Sequence, residues 1–443
     1  MRYAILALVV AAVLVMLPSL VWGPAPIDSA VYNYTWTKQF GAELARGVIY
    51  PRWLPDSFGG FGSPTFYFYP PIAFYLSGLL QVAGLSTLQA INWTVLLTLV
   101  ASGFSMAAWL RFKRANPLWA ALYVVAPYHV TDWYQRAALA EFAAFAWLPL
   151  IALAIEAQPR RWATPLLAVS YAGLIMTHLP VAVLVSIGLI APMVLVRREH
   201  LVRNAVGGAL GLGLAAIYLV PALTLLDQVS TEAMFSPFYQ PATWAPWGRN
   251  AGLWVYPLAL APVALAFGKS RFWFGVTLFS AVMSLALIPF VWSLPVLIKV
   301  QFPWRMLVVA EFAAITAAAL SPPRRLALAL AISLALPAYA RVVNVASHTL
   351  QNVYEPAIDT YLPDAPEYLP AGSFLSDVTA ESRVVDISKA APPTLGPGRR
   401  PDWRTELGGW IGLLAVVLWL LSWMRPARRA TGEGLQATAP AED

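Results

Sequence analysis

Apolar runs of near-membrane length, separated by short polar stretches, make up most of this chain. They fall at about 3–22, 88–110, 116–129, 138–157, 162–178, 181–196, 204–222, 251–268, 272–290, 306–320, 324–343 and 407–424. A helix needs about 20 apolar residues to cross the hydrocarbon core. These runs predict an all-α polytopic membrane protein of about 12 spans. A further run, 71–84, is bounded by Pro70-Pro71 and Gly84. It is too short for an ordinary span and reads as a helix at the interface. The first run sits behind Arg2 and leaves through VWGPAP, which lacks a small-x-small cleavage site. An uncleaved anchor is therefore expected rather than a signal peptide.

Charge orients this pattern. With the N-terminus inside, the inner loops hold Arg2; Arg111, Lys113 and Arg114; Arg160 and Arg161; Arg197, Arg198 and Arg203; Lys269 and Arg271; Arg324 and Arg325; and Arg425, Arg428 and Arg429. These 16 cations face five acids: Glu156, Glu199, Glu433, Glu442 and Asp443. The positive-inside rule asks for this bias. Counting 71–84 as a span would put every later basic cluster outside. The expected outer loops are 23–87, 130–137, 179–180, 223–250, 291–305 and 344–406. Residues 1–343 then form a membrane domain, 344–406 an outer loop or small lid, 407–425 a last span, and 426–443 a disordered inner tail.

Composition narrows the class. Hydrophobic residues make up 59% and charged ones 12% of 443 residues, against about half and about a quarter in soluble domains. No cysteine is present, which excludes disulfides and thiolate metal sites. The net charge of +7 lies in short loops between apolar runs, a topology signal and not a nucleic-acid surface. No internal repeat supports the inverted symmetry of a transporter.

The stretch from Asp28 to Pro71 is long, polar, aromatic and rich in glycine and proline, directly after the first apolar run. An ordered loop of that length usually serves a function. Asp28 begins it. A carboxylate at that depth is partly desolvated, which raises its pKa and improves it as a base; a helix-end cap is the alternative. The segment YHVTDWYQRAALAEF, 128–142, places His129, Asp132, Arg136 and Glu141 at the outer surface or just inside a span. Ionisable groups there are costly and are paired or functional. Asp132 and Arg136 are four apart and suit a helical pair. His178 ends a run at THLP. With His129 and the nearby acids it offers a divalent-metal site, Mg or Mn, although the spacing specifies none. QFPWR, 301–305, sets Arg305 at the mouth of a run beside Trp304, with Lys299 close by. Arginine there suits a lipid phosphate, or serves as an interfacial anchor with the tryptophan. In GGFGSPTFYFYPP, 59–71, Tyr67 and Tyr69 offer aromatic faces for a sugar ring or a prenyl chain.

The stretches GVIYPRWLPDSFGGFGSPTFYFYPPIAFYL (47–76), APYHVTDWYQRAALAEFAAFAWLPL (126–150), THLP (177–180), QFPWR (301–305) and EYLP (367–370) resemble the prokaryotic "6-pyruvoyl-tetrahydropterin synthase-related" multi-spanning membrane proteins. That label concerns a name; no soluble pterin-synthase core is visible. Those proteins in turn are similar to the GT-C glycosyltransferases. The resemblance implies a catalytic Asp or Glu in the first outer loop, a polyprenyl-phosphate-linked sugar donor, often a divalent metal, and interfacial helices before the second span. Asp28 matches the acid, and 37–46 and 71–84 match the helices. A His often precedes this acid in that superfamily, whereas Ile27 stands here. The long outer C-terminal domain of many such enzymes is reduced to 344–406.

The expectation is an inverting glycosyltransferase at the outer face of the plasma membrane, both termini inside. Asp28 activates the acceptor, Arg305 with Lys299 and Trp304 holds the lipid phosphate, and Glu141, Asp132, Arg136 and His178 shape the site. A lipid-linked-glycan flippase and a non-catalytic assembly protein are the rivals. A flippase would place polar groups near mid-span, while here they collect at the outer ends.

Overall fold

A computed structural model describes residues 2–24, 27–231, 237–248, 252–267, 270–349, 362–369, 371, 374–376, 384–386, 395–396 and 402–424. The expected tail 426–443 and much of 344–406 lie outside the described residues. The fold is helical, apart from a short antiparallel pairing of Phe374–Ser376 with Val384–Asp386. Among the described residues, seven helices are long and apolar enough to cross a membrane: Arg2–Trp22, Thr87–Phe112, Leu139–Glu156, Leu179–Val196, Pro303–Leu320, Arg325–Val345 and Trp403–Trp423. An eighth arises if Arg198–Leu214 and Ala216–Thr224, bent by 70°, count as one span. Ala163–Thr177 and Val255–Ala266 are apolar but shorter.

The expected count of 12 is therefore met only in kind. The run 116–129, expected as one short span, is two helices, Trp119–Val124 and Pro127–Tyr134. Pro127 is the cause. It removes a helical N–H and holds Ala126 in an extended conformation (φ −58°, ψ 139°), so the chain restarts rather than continues.

The helix Pro303–Leu320 is the axis of the molecule. Every residue from Pro303 to Ala319 is buried; from Ala310 on, six alanines let neighbours close in. Trp109 donates to Thr316 Oγ1 at 3.0 Å and fixes the long Thr87–Phe112 helix against it. The first helix buries Leu8, Ala12, Met16 and Ser19 at near-helical spacing and leaves Leu6 and Leu14 exposed. One stripe thus faces protein and the rest suits lipid. Ser19 ties its C-terminal end to two neighbours: its carbonyl accepts from Asn92 Nδ2 at 2.7 Å and its hydroxyl from Trp133 Nε1 at 3.0 Å.

Two helices between the first two long apolar helices, Ala30–Ala45 and Ile72–Val82, pack against each other. The first begins earlier than the expected 37–46, and the second keeps within 71–84. Gly41 and Gly78 make the close crossing: a Cβ on Gly78 would come within 3.3 Å of the Gly41 backbone nitrogen, and one on Gly41 would collide with Gln81. Between the helices, Leu54 and Ser63 form a single antiparallel bridge. Trp36, Phe40, Phe66, Tyr69 and Phe74 interlock edge to face, with centroids 4.6–6.4 Å apart. Each buried Phe adds about 1.5–3 kcal/mol relative to exposure in water. That packing adds to the backbone hydrogen bonds that order the loop, among them Leu54 N to Ser63 O and Phe66 N to Arg52 O.

Candidate active site

The site grows from an acid at the end of a helix. Glu311, buried in the axial helix, accepts from the backbone N–H of Tyr128 (2.6 Å) and of His129 (3.2 Å). It therefore caps the Pro127–Tyr134 helix, whose first amides have no internal partner. Arg136 follows two residues beyond that helix. The chain reverses through Ala137, at φ 46°, and enters Leu139–Ala144 with Glu141 in its first turn. The same reversal meets the start of the Ala30–Ala45 helix: Ala137 O accepts from Asn33 Nδ2 at 2.5 Å, and Arg136 O from Ser29 N at 3.2 Å. Asp28, at φ 41°, is brought beside Arg136 by these two bonds. Asp tolerates that left-handed conformation better than most residues.

A charged network lies beneath. Arg136 Nη1 donates to Asp132 Oδ1 (2.6 Å), Glu141 Oε2 (2.9 Å) and the Tyr128 hydroxyl (3.3 Å). Arg305 donates from Nε to the same Glu141 oxygen (2.9 Å) and from Nη1 to Val300 O (2.5 Å). Tyr128 OH donates to the other Glu141 oxygen. Two guanidinium and two carboxylate groups balance, as buried charges must. The bonds leave part of each fork over: among the described residues, Arg136 Nε and Nη2 and Arg305 Nη2 have no hydrogen-bond partner.

Above them opens a cavity of about 300 Å³, lined by Asp28, Tyr69, Arg136, Glu141, His178, Trp304 and Arg305, and also by Trp36, Tyr239, Glu367 and Tyr368. Its floor is aromatic. Phe302 and Trp304 stack at 4.6 Å, and both guanidinium groups lie 5.0–5.7 Å from their ring centres. Such placement suits cations and planar groups. His178 Nδ1 accepts from Val181 N at 3.2 Å, so a neutral ring carries its proton on Nε2. Burial raises the Asp28 pKa, and the charges of Arg136 and Arg305 pull it back.

The structure thus brings together Asp28, Tyr69, Arg136, Glu141, His178, Trp304 and Arg305. Asp132 is behind the wall and acts only through Arg136. Three expected site residues lie elsewhere. Lys299 is exposed and does not line the cavity; the chain turns sharply at Gln301 (φ 69°) between it and Arg305. Tyr67 packs beside the Arg52 guanidinium, 5.7 Å from its ring centre. His129 is fully buried, stacked on Phe145 at 3.8 Å with its Nδ1 by Tyr123 O. It does not share the cavity with His178. Among the described residues no three His, Asp or Glu side chains group closely enough to hold a metal ion. Glu141 is already paired with both arginines, whose charges also act on Asp28, so the residues present do not fit a divalent metal there.

One contributor was missed from sequence. The segment 362–369, before the last long helix, forms a cavity wall. Asp364 anchors it with four hydrogen bonds: Trp36 Nε1 (2.6 Å) and Ala365 N (2.7 Å) to Oδ1, and the hydroxyls of Ser57 (2.7 Å) and Thr65 (2.8 Å) to Oδ2. Leu362 O and Leu369 O accept from Phe58 N and Ser230 N at its two ends. Tyr368 stacks on Phe68 at 6.0 Å. EYLP was visible as a motif, but nothing local revealed where it docks.

No family model and no curated protein matches the chain. Among solved structures, the mycobacterial arabinofuranosyltransferase AftD aligns at 19% identity and a TM-score of 0.45, covering 77% of this chain and 27% of AftD. Its R1389S variant aligns at 20% identity and a TM-score of 0.47, covering 81% and 29%. The chain spans less than a third of that protein's length.

Proposed function

We propose that the chain is a membrane-embedded, GT-C-like glycosyltransferase using a polyprenyl-phosphate-linked sugar donor at the outer face of the plasma membrane. One observation carries this reading: a carboxylate, Asp28, shares a cavity with the unpartnered edges of two arginines. A planar fork with free N–H groups suits a phosphate. A nearby carboxylate suits a hydroxyl.

In the proposed reaction the acceptor hydroxyl gives its proton to Asp28 as its oxygen attacks the anomeric carbon. A new C–O bond forms there while the bond from that carbon to the phosphate oxygen breaks. The electron pair leaves on the polyprenyl phosphate, and Arg136 and Arg305 stabilise the charge that develops. Attack opposite the leaving group inverts the anomeric configuration. Glu141 holds both guanidinium groups in place and takes no proton. The positive charge comes from side chains, so no metal step is invoked. The aromatic floor gives the sugar ring or first isoprene units an apolar surface.

Asp28→Asn keeps the shape and removes the base. It should lower transfer from a lipid-linked sugar by roughly 100- to 10,000-fold, the usual worth of a positioned base, with undecaprenyl phosphate binding retained. Full turnover in that variant would sink the reading and leave a lipid-linked-glycan flippase as the better one.

A further inference from the structure

The cavity has two electrically distinct ends. Arg136, Arg305 and His178 form one. At the other, the 362–369 segment presents Glu367; Tyr239, from a separate loop, packs edge-on against Phe302 at 5.8 Å and so adjoins the arginine end. The Tyr239 hydroxyl is held above its usual pKa by burial, then by the charges of Glu367 and Asp28. It shares the cavity with both carboxylates. The charged or titratable groups acting on Glu367 and its neighbours at this end are Asp364, Tyr368 and Tyr239, none of them cationic. Among the described residues no guanidinium pairs with Glu367, whereas Glu141 has two. Burial pushes the Glu367 carboxyl up to about 7.

A carboxylate without a cation, beside a phenol and next to the faces of Trp36 and Tyr368, does not suit a phosphate. It suits neutral groups that donate hydrogen bonds and carry an apolar face, which describes a sugar ring. We propose that Glu367 and Tyr239 form an acceptor subsite, hydrogen-bonding hydroxyl groups of a glycan end and turning one of them toward Asp28. This rests on the glycosyltransferase reading. Glu367 accepts from the sugar, Tyr239 bridges between the two carboxylates, and Asp364 holds the segment that carries Glu367. The segment is thus a positioning wall, and the polyprenyl end of the cavity lies opposite.

Saturation-transfer NMR titrations with a panel of methyl pyranosides and furanosides on the purified full chain test this. Parallel titrations with undecaprenyl phosphate report on the arginine end and on intact folding. Glu367→Gln should weaken the best-bound glycoside about tenfold, the factor one charge-assisted hydrogen bond carries. Tyr239→Phe should weaken it less, and undecaprenyl phosphate should bind both variants as it binds the natural chain. Ionised Glu367 accepts two hydroxyls and the protonated form fewer, so glycoside affinity should rise from pH 6 to pH 8. That rise should persist in Asp28→Asn and vanish in Glu367→Gln. An unchanged affinity and pH profile in Glu367→Gln overturns the inference, as does absence of saturable binding by every glycoside. Loss of undecaprenyl phosphate binding in Arg305→Ala alone bears on the proposed function and not on this subsite.

Discussion

Arg305 shows how one planar side chain divides its donors. Nε and Nη1 are spent on Glu141 and Val300 O, and Nη2 is left over. Lysine keeps the charge but not this division. Arg305→Lys should therefore weaken undecaprenyl phosphate binding about tenfold, and Arg305→Ala further, with membrane insertion unchanged in both. Calorimetry on purified protein checks it, and equal affinity in all three forms would return Arg305 to a structural anchor. Asp28 adds a pH signature. The base works only when ionised, so kcat/KM falls as pH drops through its pKa, and burial places that midpoint above the ordinary 3.8. Because Arg305 lowers it, residual transfer by Arg305→Ala should show the acid limb at higher pH. A limb that stays in place would remove Asp28 from the proton-transfer step. Much at this scale was legible in sequence: Asp28, Arg136, Glu141, His178 and Arg305 announce themselves because charge is costly among apolar runs. His129 announced itself the same way and misled, since a neutral imidazole stacked on Phe145 satisfies the same cost by packing. Glu367 was missed because an acid in a long polar loop is ordinary until its distant neighbours are known.

Helix ends, more than helix faces, place the chemistry. The Pro127–Tyr134 helix exists because Pro127 restarts the chain and Glu311 receives its first two amides. Sequence gave the apolar runs through their periodicity and length. Pro127 marks the break in the sequence, but the expected single span 116–129 ran through it; the cap could not be read locally, since it comes from 183 positions away. Glu311→Gln retains one acceptor oxygen for two N–H groups. One buried amide is left unmatched, at about 1–3 kcal/mol. The thermal midpoint in detergent should fall by several degrees, and undecaprenyl phosphate binding should weaken with it as Arg136 loses its support. A stable variant with normal binding would show that the helix holds without its cap. Of the helices Ala30–Ala45 and Ile72–Val82, the second was visible as a run too short to span and the first came only from the resemblance, at 37–46; their crossing, which depends on two glycines 37 positions apart, was not visible.

For the whole molecule, the distribution of charge and the packing of the chain agree. Lys113 and Arg197, expected in two inner loops, both pair with Glu156. Asp28, Arg136, His178, Arg305 and Glu367, expected in outer loops or at outer helix ends, all line one cavity. Reporter fusions at Ala115, Gln158, Glu199 and Ser270 should read inside, and one at Ala371 outside. A fusion at Ala427, outside the described residues, should also read inside. A mixed result would mean that a bent or short helix crosses where a full span was counted, with 201–224 and 119–134 the first places to look.

The anchor at Asp364 also sets an order of events during synthesis. It bonds to Trp36, 328 positions earlier in the chain. The ribosome makes the floor, both arginines and Asp28 long before it makes the wall that faces them. Until residues 362–369 emerge and dock, the aromatic pocket around Trp36 and Phe68 stays open to whatever lipid or chaperone is near. Maturation of the site is then a late step, separable from membrane insertion.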